Sequence, residues 1–271
     1  ALEETDSVTL QLRLRVLLAE MNGTSGQLGR RLNSELDDLA QAPPPVLDVI
    51  CDACLELEDY SRAEEILTLF QTRYEESEFM KSALKLRAFE LFEKKWYDAA
   101  LDIADEAQAI YGTDVEVVWA QLLKGKIRLE QGDFEKAYEL FRAVLGVPQW
   151  RGDAFGEATY YLGKVEEAAG NLRDAFAWYQ RAYFQWKGVA GGTWAAEGYL
   201  ASARCLQKLG REVDRLNTYR AMLFDQYVNK LPQAEVAREV LGDQVVQQIN
   251  MQIEQGVSTN ITVKLSMETD Q

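Results

Sequence analysis

Two cysteines, Cys51 and Cys54, have a spacing that supports redox or metal chemistry on a helix. Residues three positions apart share a helix face, so these thiols could form a redox pair or half of a zinc site. Within the repeat described below, however, Cys51 takes a position for small residues and Cys54 takes an apolar position. Because cysteine packs well as a small hydrophobic residue, we expect both side chains in the core. Cys205 stands alone, which predicts no disulfide framework.

Carboxylates are the other candidates for chemistry. Acidic runs at residues 56–59 and 75–78 contain paired carboxylates, which can perform acid–base catalysis, but they lie at predicted turns and helix ends, where solvated charge is usual. The chain contains no His, and this excludes Ser-His-Asp and Cys-His catalysis, HExxH metalloprotease sites and mixed Cys/His zinc sites. We therefore expect a protein that is not an enzyme and that has no cofactor and no metal.

The charge balance limits the class of partner. The chain has 29 basic and 44 acidic residues, a net charge of −15, which argues against nucleic acid or an anionic bilayer as the main partner. No stretch approaches the roughly 18 apolar residues that a membrane-spanning helix requires, so no membrane insertion is predicted. Abundant Ala, Leu, Glu and Lys with only 5 Pro favour helix over sheet.

The elements that must position any site are helical hairpins that recur along the chain. Residues 118–145 contain two amphipathic segments separated by a break at Gln131-Gly132-Asp133, which predicts a helix, a tight turn and a second helix. Similar units start near residues 44, 81, 118, 156 and 196, at spacings of 37, 37, 38 and 40. Such a short hairpin cannot bury its apolar face alone, so we expect neighbouring hairpins to stack into a continuous core.

Particular residues recur at fixed positions of this unit, counted from its first residue. Position 8 carries a small residue at Gly125 and Gly163, and position 15 carries a turn glycine. Position 20 carries alanine at Ala63, Ala100, Ala137 and Ala175, and the turn glycines are Gly132, Gly170 and Gly210. This pattern resembles the tetratricopeptide repeat family over residues 44 to 231. The chain departs from the family in its longer repeats, in Arg215 where alanine is expected, and in the near absence of the closing proline.

The resemblance implies an all-α, right-handed superhelical solenoid of antiparallel helix hairpins with helical caps. Residues 1–42 are predicted to form an N-terminal hairpin cap, with helices over 7–21 and 27–40, although alternating leucines near residue 10 also suit a strand. Residues 43–231 would form five repeats. Residues 232–271 would form a C-terminal capping helix from Gln233, in which Gly242-Asp243 favours a break, and a polar tail. The glycine-rich residues 186–194 are interpreted as a hairpin connection.

A binding surface follows from the resemblance. In tetratricopeptide repeats, positions 2, 5, 9 and 12 of the first helix line the concave groove. Position 9 is Phe89, Lys126, Lys164 and Arg204 in four successive repeats, and Trp119 and Tyr160 fall at positions 2 and 5. A row of cations interleaved with aromatic rings would suit an extended peptide with acidic side chains or a free C-terminal carboxylate. Alternatively, Lys164 could pair with Glu157 or Glu197, and Arg204 with Glu197, so that the groove is only neutralised.

We therefore expect a non-enzymatic scaffold that binds a partner segment in the groove, with Lys126, Lys164 and Arg204 for anion recognition and Phe89, Trp119 and Tyr160 as apolar anchors. The alternative is a structural spacer or self-assembly module of a larger complex. Residues 196–241 are similar to repeats of bacterial envelope-associated proteins of the same family, and this likeness slightly favours the cell envelope over the cytoplasm and leaves the compartment open.

Overall fold

A computed structural model describes residues 2–36 and 39–255, and in these residues all regular structure is helical. The all-α prediction is confirmed. Four short 3-10 helices lie at Leu39–Gln41, Val115–Val117, Pro148–Trp150 and Ala190–Gly192. The α-helices, in chain order, are α1 (Leu2–Met21), α2 (Ser25–Glu35), α3 (Pro44–Leu57), α4 (Ala63–Arg73), α5 (Met80–Glu93), α6 (Tyr97–Tyr111), α7 (Val118–Glu130), α8 (Phe134–Val144), α9 (Asp153–Ala168), α10 (Leu172–Gln185), α11 (Thr193–Lys208), α12 (Glu212–Phe224), α13 (Ala234–Leu241) and α14 (Asp243–Glu254).

The chain divides into two compact units, residues 1–127 and 128–271. Within each unit, helices that follow one another in the chain pack together. The fully buried side chains of the first unit come mainly from the successive helices α2 to α7, and include Leu32, Ile50, Phe70, Leu84, Ala104 and Leu123. In the second unit they include Phe141, Phe176, Tyr179, Leu206 and Met222. No helix in the described residues is both long enough and apolar enough to cross a membrane.

Five hairpins, α3–α4, α5–α6, α7–α8, α9–α10 and α11–α12, share one turn geometry. Position 15 of each has a positive φ angle, at Glu58, Lys95, Gly132, Gly170 and Gly210. In every case the amide of the next residue donates to the carbonyl five residues earlier, at 2.8–2.9 Å. This bond is the mark of a Schellman motif, which satisfies the free carbonyls at the end of a helix. The three predicted turn glycines thus lie at the position that needs a left-handed backbone.

Small residues allow helices to approach closely, both within a hairpin and between neighbouring hairpins. A Cβ atom at Gly163 on α9 would lie 2.6 Å from the ring of Tyr179 on α10, and one at Gly198 on α11 would lie 2.8 Å from the Tyr179 carbonyl oxygen. A rigid ring and a backbone carbonyl cannot yield as a flexible side chain does. The glycine at position 8 of the fourth hairpin is therefore required for packing, whereas Gly132 and Gly170, with open space around them, are required for their backbone angle.

The N-terminal segment differs from its prediction in one element. Residues 2–21 form a helix and no strand, and because alternate residues of a helix lie about 200° apart, Leu12 is buried while Leu10 and Leu14 are exposed. The predicted helix over 27–40 is wrong in its second part, because α2 ends at Glu35. The guanidinium of Arg62 donates to the carbonyls of Asn33 and Leu36 at 3.1 and 2.7 Å and so satisfies the groups that would otherwise continue the helix.

The C-terminal segment is interrupted where glycine was expected to break it. Gly242 has a φ of 77° and separates α13 from α14. Residues 186–192 connect α10 to α11 through the short turn at Ala190–Gly192, and Thr193 and Trp194, the last two residues of the predicted connection, begin α11. The predicted polar tail, Val257 to Gln271, lies outside the described residues.

The shared turn predicts opposite effects for two matched substitutions. Lys95→Gly should raise the free energy of unfolding by about 0.5–1 kcal/mol, because it removes a Cβ atom from a residue with a positive φ angle. Gly132→Ala should lower it by about 1 kcal/mol, because nothing but backbone strain opposes the added methyl group. Urea unfolding followed by circular dichroism measures both, and a destabilising Lys95→Gly would contradict the assigned turn.

Candidate functional site

The first helices of the hairpins carry most of the predicted site residues, and in the first unit they also form a cavity of about 280 Å³. Its walls include Asp48 and Asp52, one turn apart on α3, and Ser82 and Lys85, one turn apart on the neighbouring α5. These residues occupy positions 5 and 9 of the first hairpin and positions 2 and 5 of the second. The cavity therefore lies on the face that the repeat register assigns to binding.

Hydrogen bonds and ion pairs organise this cavity. The Ser82 hydroxyl donates to Asp48, and Lys81 at its edge binds both Asp114, at 3.1 Å, and Glu116. Burial, together with the negative charge of Asp52, raises the pKa of Asp48 to about 6 despite the hydrogen bond from Ser82, which lowers it. The Asp48 carboxyl group consequently changes charge close to neutral pH.

Three predicted site residues contact one another in the first unit. The rings of Phe89 and Trp119 lie 6.4 Å apart, and the Lys126 ammonium lies 5.8 Å above the Phe89 ring. Trp119 is only 6% exposed, which leaves little of its ring for a ligand. Its indole N–H has no hydrogen-bond acceptor within the described residues, and an unsatisfied buried donor costs about 1–3 kcal/mol.

Tyr160, the predicted anchor in the second unit, is enclosed by aromatic rings. Its ring centroid lies 5.5–5.7 Å from those of Tyr161, Tyr179 and Trp194, and only 8% of the residue is exposed. Tyr160 thus contributes mainly to packing between α9, α10 and α11, and a ligand would reach only the edge of its ring.

The two cations of the second unit have different surroundings. The Lys164 ammonium lies 5.6 Å above the Tyr161 ring, and no ion pair within residues 2–36 and 39–255 includes it. Arg204 lies 3.5 Å from a carboxylate oxygen of Glu167, and not in an ion pair with Glu197, the partner considered from the sequence. Arg204 is thus partly neutralised within the chain, whereas Lys164 is not.

Glu167 is the centre of this cluster. It accepts a hydrogen bond from the Tyr179 hydroxyl at 2.8 Å and pairs with Lys208 at 2.8 Å as well as with Arg204. Burial alone would raise the pKa of Glu167, but the hydrogen bonds from Lys208 and Tyr179 and the charge of Arg204 hold it below its usual value. Glu167 therefore remains a carboxylate and holds two cations near the end of α9.

Asp48, Asp52 and Glu167 were missed from the sequence, although the signal was present. Asp48 and Asp52 lie at positions 5 and 9, from which aromatic and basic site residues were chosen, and Glu167 lies at position 12, which the family resemblance also assigns to the groove. Reading these positions for acids as well as bases would have found them.

The cysteine pair lies in the core of the first unit. Cys51 and Cys54 are fully buried and unbridged. Burial raises the pKa of the Cys51 thiol well above its ordinary value and that of Cys54 to about 11, so neither is poised to form a thiolate. In the part of the chain that the structure describes, no group of three or more Cys, Asp or Glu side chains has an arrangement that could hold a metal ion.

No protein-family model matches the chain, and no curated protein matches it significantly. The resemblance to tetratricopeptide repeats therefore stays a prediction that rests on the residues quoted above.

Asp48 makes stability depend on pH in a defined direction. Because its pKa is higher in the folded than in the unfolded chain, its stabilising contribution is lost as the pH rises from about 4 to about 6. Asp48→Asn keeps an acceptor for Ser82 but carries no charge. We expect the variant to equal the wild type near pH 4 and to exceed its unfolding free energy by about 1–2 kcal/mol at pH 7, after allowance for partial exposure. Urea unfolding across this pH range tests the prediction, and a constant difference between the two proteins would contradict it.

Proposed function

We propose that the chain is a non-enzymatic scaffold whose first helices bind an extended segment of a protein partner. In this proposal the hairpins are tetratricopeptide-like and form a right-handed solenoid, and the segment lies along its concave groove. The proposal depends on one observation above all: Lys126 and Lys164, both at position 9, lie over the aromatic rings of Phe89 and Tyr161. The same residue type thus lies over an aromatic ring on two first helices.

The contacts of these cations suit a ligand with carboxylates. The cation–π contact of Lys164 restrains its ammonium group, and no ion pair in the described residues uses the ammonium N–H donors of Lys164, so these donors can bind a ligand carboxylate. Arg204 already shares Glu167 with Lys208, so a ligand carboxylate would compete with an internal one there. Lys164 has no such competitor in the described residues, and we expect it to contribute more to binding than Arg204 does.

Apolar recognition would be secondary. Phe89 is partly exposed beside Lys126, whereas Trp119 and Tyr160 are almost enclosed.

Selection from a library of displayed peptides tests this function without knowledge of the partner. We expect the wild type to enrich peptides rich in Asp and Glu, and Lys164→Glu to weaken their binding by about tenfold or more, because a charge-assisted hydrogen bond is replaced by repulsion. Lys230→Glu is the matched control, since it makes the same charge change at an exposed residue after α12. If the enriched peptides bind Lys164→Glu and Lys230→Glu with equal affinity, the proposed surface is contradicted.

A second candidate function, self-assembly, is favoured by the outer face of α1. Five apolar side chains there are at least half exposed and follow a helical spacing, namely Leu10, Leu14, Leu17, Leu18 and Met21. A terminal hairpin that only sealed a stack would present polar residues outward. The same stripe on a second copy of the chain would supply an apolar face of matching length and spacing, as in a helical pair.

Light scattering over a range of protein concentrations distinguishes this candidate from peptide binding alone. Self-assembly predicts a mass that rises toward that of a dimer, and a return to the monomer mass in Leu14→Glu/Leu18→Glu. The double variant Leu57→Glu/Val213→Glu introduces the same charges at exposed apolar residues of α3 and α12 and should associate like the wild type. A constant monomer mass of the wild type would exclude self-assembly through α1.

A further inference from the structure

A second cavity lies in the second unit, where the helices α8, α9 and α10 meet. Its volume is about 330 Å³, and its lining is basic and aromatic without a single carboxylate. We call it the arginine–tryptophan pocket, defined by Arg142, Arg151, Arg181, Phe155, Trp178 and Trp186. None of the residues that line this pocket is one of the six residues proposed to bind the peptide segment.

Trp178 is covered by two guanidinium groups. The Arg181 guanidinium carbon lies 4.4 Å from the ring centroid and that of Arg142 lies 5.8 Å away, while the Tyr138 ring packs against the indole edge-to-face at 6.2 Å. The face of an aromatic ring attracts a guanidinium group that lies over it. The N–H donors of the guanidinium lie in the plane of the guanidinium. These contacts restrain the Arg142 and Arg181 guanidinium groups beside the indole ring.

In the described part of the chain, the guanidinium N–H donors of the three arginines of this pocket have no acceptor. Within residues 2–36 and 39–255, none of the side chains of Arg142, Arg151 and Arg181 forms an ion pair or a hydrogen bond. Arginines elsewhere do pair, for example Arg87 with Glu90 and Arg215 with Glu212. Carboxylates outnumber cations by 44 to 29 in this chain, so three adjacent arginines without one are an unusual concentration of uncompensated positive charge.

Covering Trp178 does not explain the whole pocket. It accounts for Arg142 and Arg181, whose alkyl stems and guanidinium groups shield the indole. Arg151 follows the 3-10 turn Pro148–Trp150 and, in the described residues, contacts no aromatic ring. Its position at the same cavity adds a third cation that packing does not require.

The remaining wall of the pocket is apolar. Phe155 and Trp186 pack edge-to-face with their ring centroids 5.7 Å apart, and the Trp186 indole N–H donates to the Thr159 hydroxyl at 3.2 Å. Because its only donor is used internally, Trp186 offers the pocket an aromatic surface and no polar group.

From these contacts we infer that the arginine–tryptophan pocket binds an oxyanion of a protein partner, a carboxylate or a phosphate, carried next to an aromatic side chain. The oxyanion receives the free in-plane donors of the three arginines, and the aromatic group packs on Phe155 and Trp186. Guanidinium groups suit this task because they can donate two parallel hydrogen bonds to one carboxylate or phosphate. This second site would let the protein bind two acidic segments at once.

Titration calorimetry with short blocked peptides tests the inference. The first peptide carries phenylalanine between two glutamates, the second has glutamine in place of both glutamates, and the third carries phosphotyrosine between glutamines. The wild type at low ionic strength should bind the first or the third peptide, or both, and not the second. The preferred peptide identifies the oxyanion. Binding should also shift the indole N–H resonances of Trp178 and Trp186, which locates the peptide in this pocket.

Variants separate specific binding from general attraction to positive charge. Arg142→Gln/Arg181→Gln should raise the dissociation constant by about tenfold or more, while the control Arg13→Gln/Lys230→Gln, which removes the same charge, should change it by less than about twofold. Arg151→Gln leaves the cover of Trp178 intact and should still weaken binding several-fold, so the test does not depend on a variant that disturbs packing. No binding by the wild type, binding of the neutral peptide with equal affinity, or equal weakening by the control would each overturn the inference.

Discussion

A short helical hairpin buries its apolar side only against another hairpin, and the described structure depends on this constraint. The free energy of each helix comes mainly from its contact with neighbours and not from its own propensity. Close contact in turn requires small residues where helices approach, as at Gly163 beside Tyr179, and a chain reversal that satisfies the helix end. The Schellman turn at position 15 provides that reversal in all five hairpins. Side chains on the first helices then recur in a regular register, which is what makes a repeated binding surface possible.

Local sequence predicted the hairpins well because their signals are local. Apolar spacing marks the helices, and Gly132, Gly170 and Gly210 mark the turns, since glycine adopts a positive φ angle at little cost. Glu58 and Lys95 adopt the same angle without that signal, because the packing of the flanking helices imposes it. The end of α2 could not be predicted in the same way. The Leu36 carbonyl accepts a hydrogen bond from Arg62, which lies 26 residues further along the chain, and apolar spacing within a short segment does not indicate such a distant contact.

Only those site residues that occupy fixed positions of the repeat could be predicted from the repeat register. It identified Lys126 and Lys164 on first helices, but it could not decide which carboxylate Arg204 would bind, because that depends on the directions of long side chains on two helices. The structure places Glu167 there. The arginine–tryptophan pocket has no signature in the register, because Arg142, Arg151 and Arg181 come from two second helices and a turn that meet only in the folded chain.

The central claim is that one hairpin geometry recurs five times from residue 44 to residue 224, and native-state hydrogen exchange measures it most directly. The amides that donate to the carbonyl five residues earlier belong to Asp59, Trp96, Asp133, Asn171 and Arg211. The account predicts slow exchange at all five, since each amide is held inside a closed turn. Exchange of Asp59 and Trp96 at the rate of an unfolded peptide, with the other three protected, would contradict it, because only the hairpins with turn glycines would then share the fold.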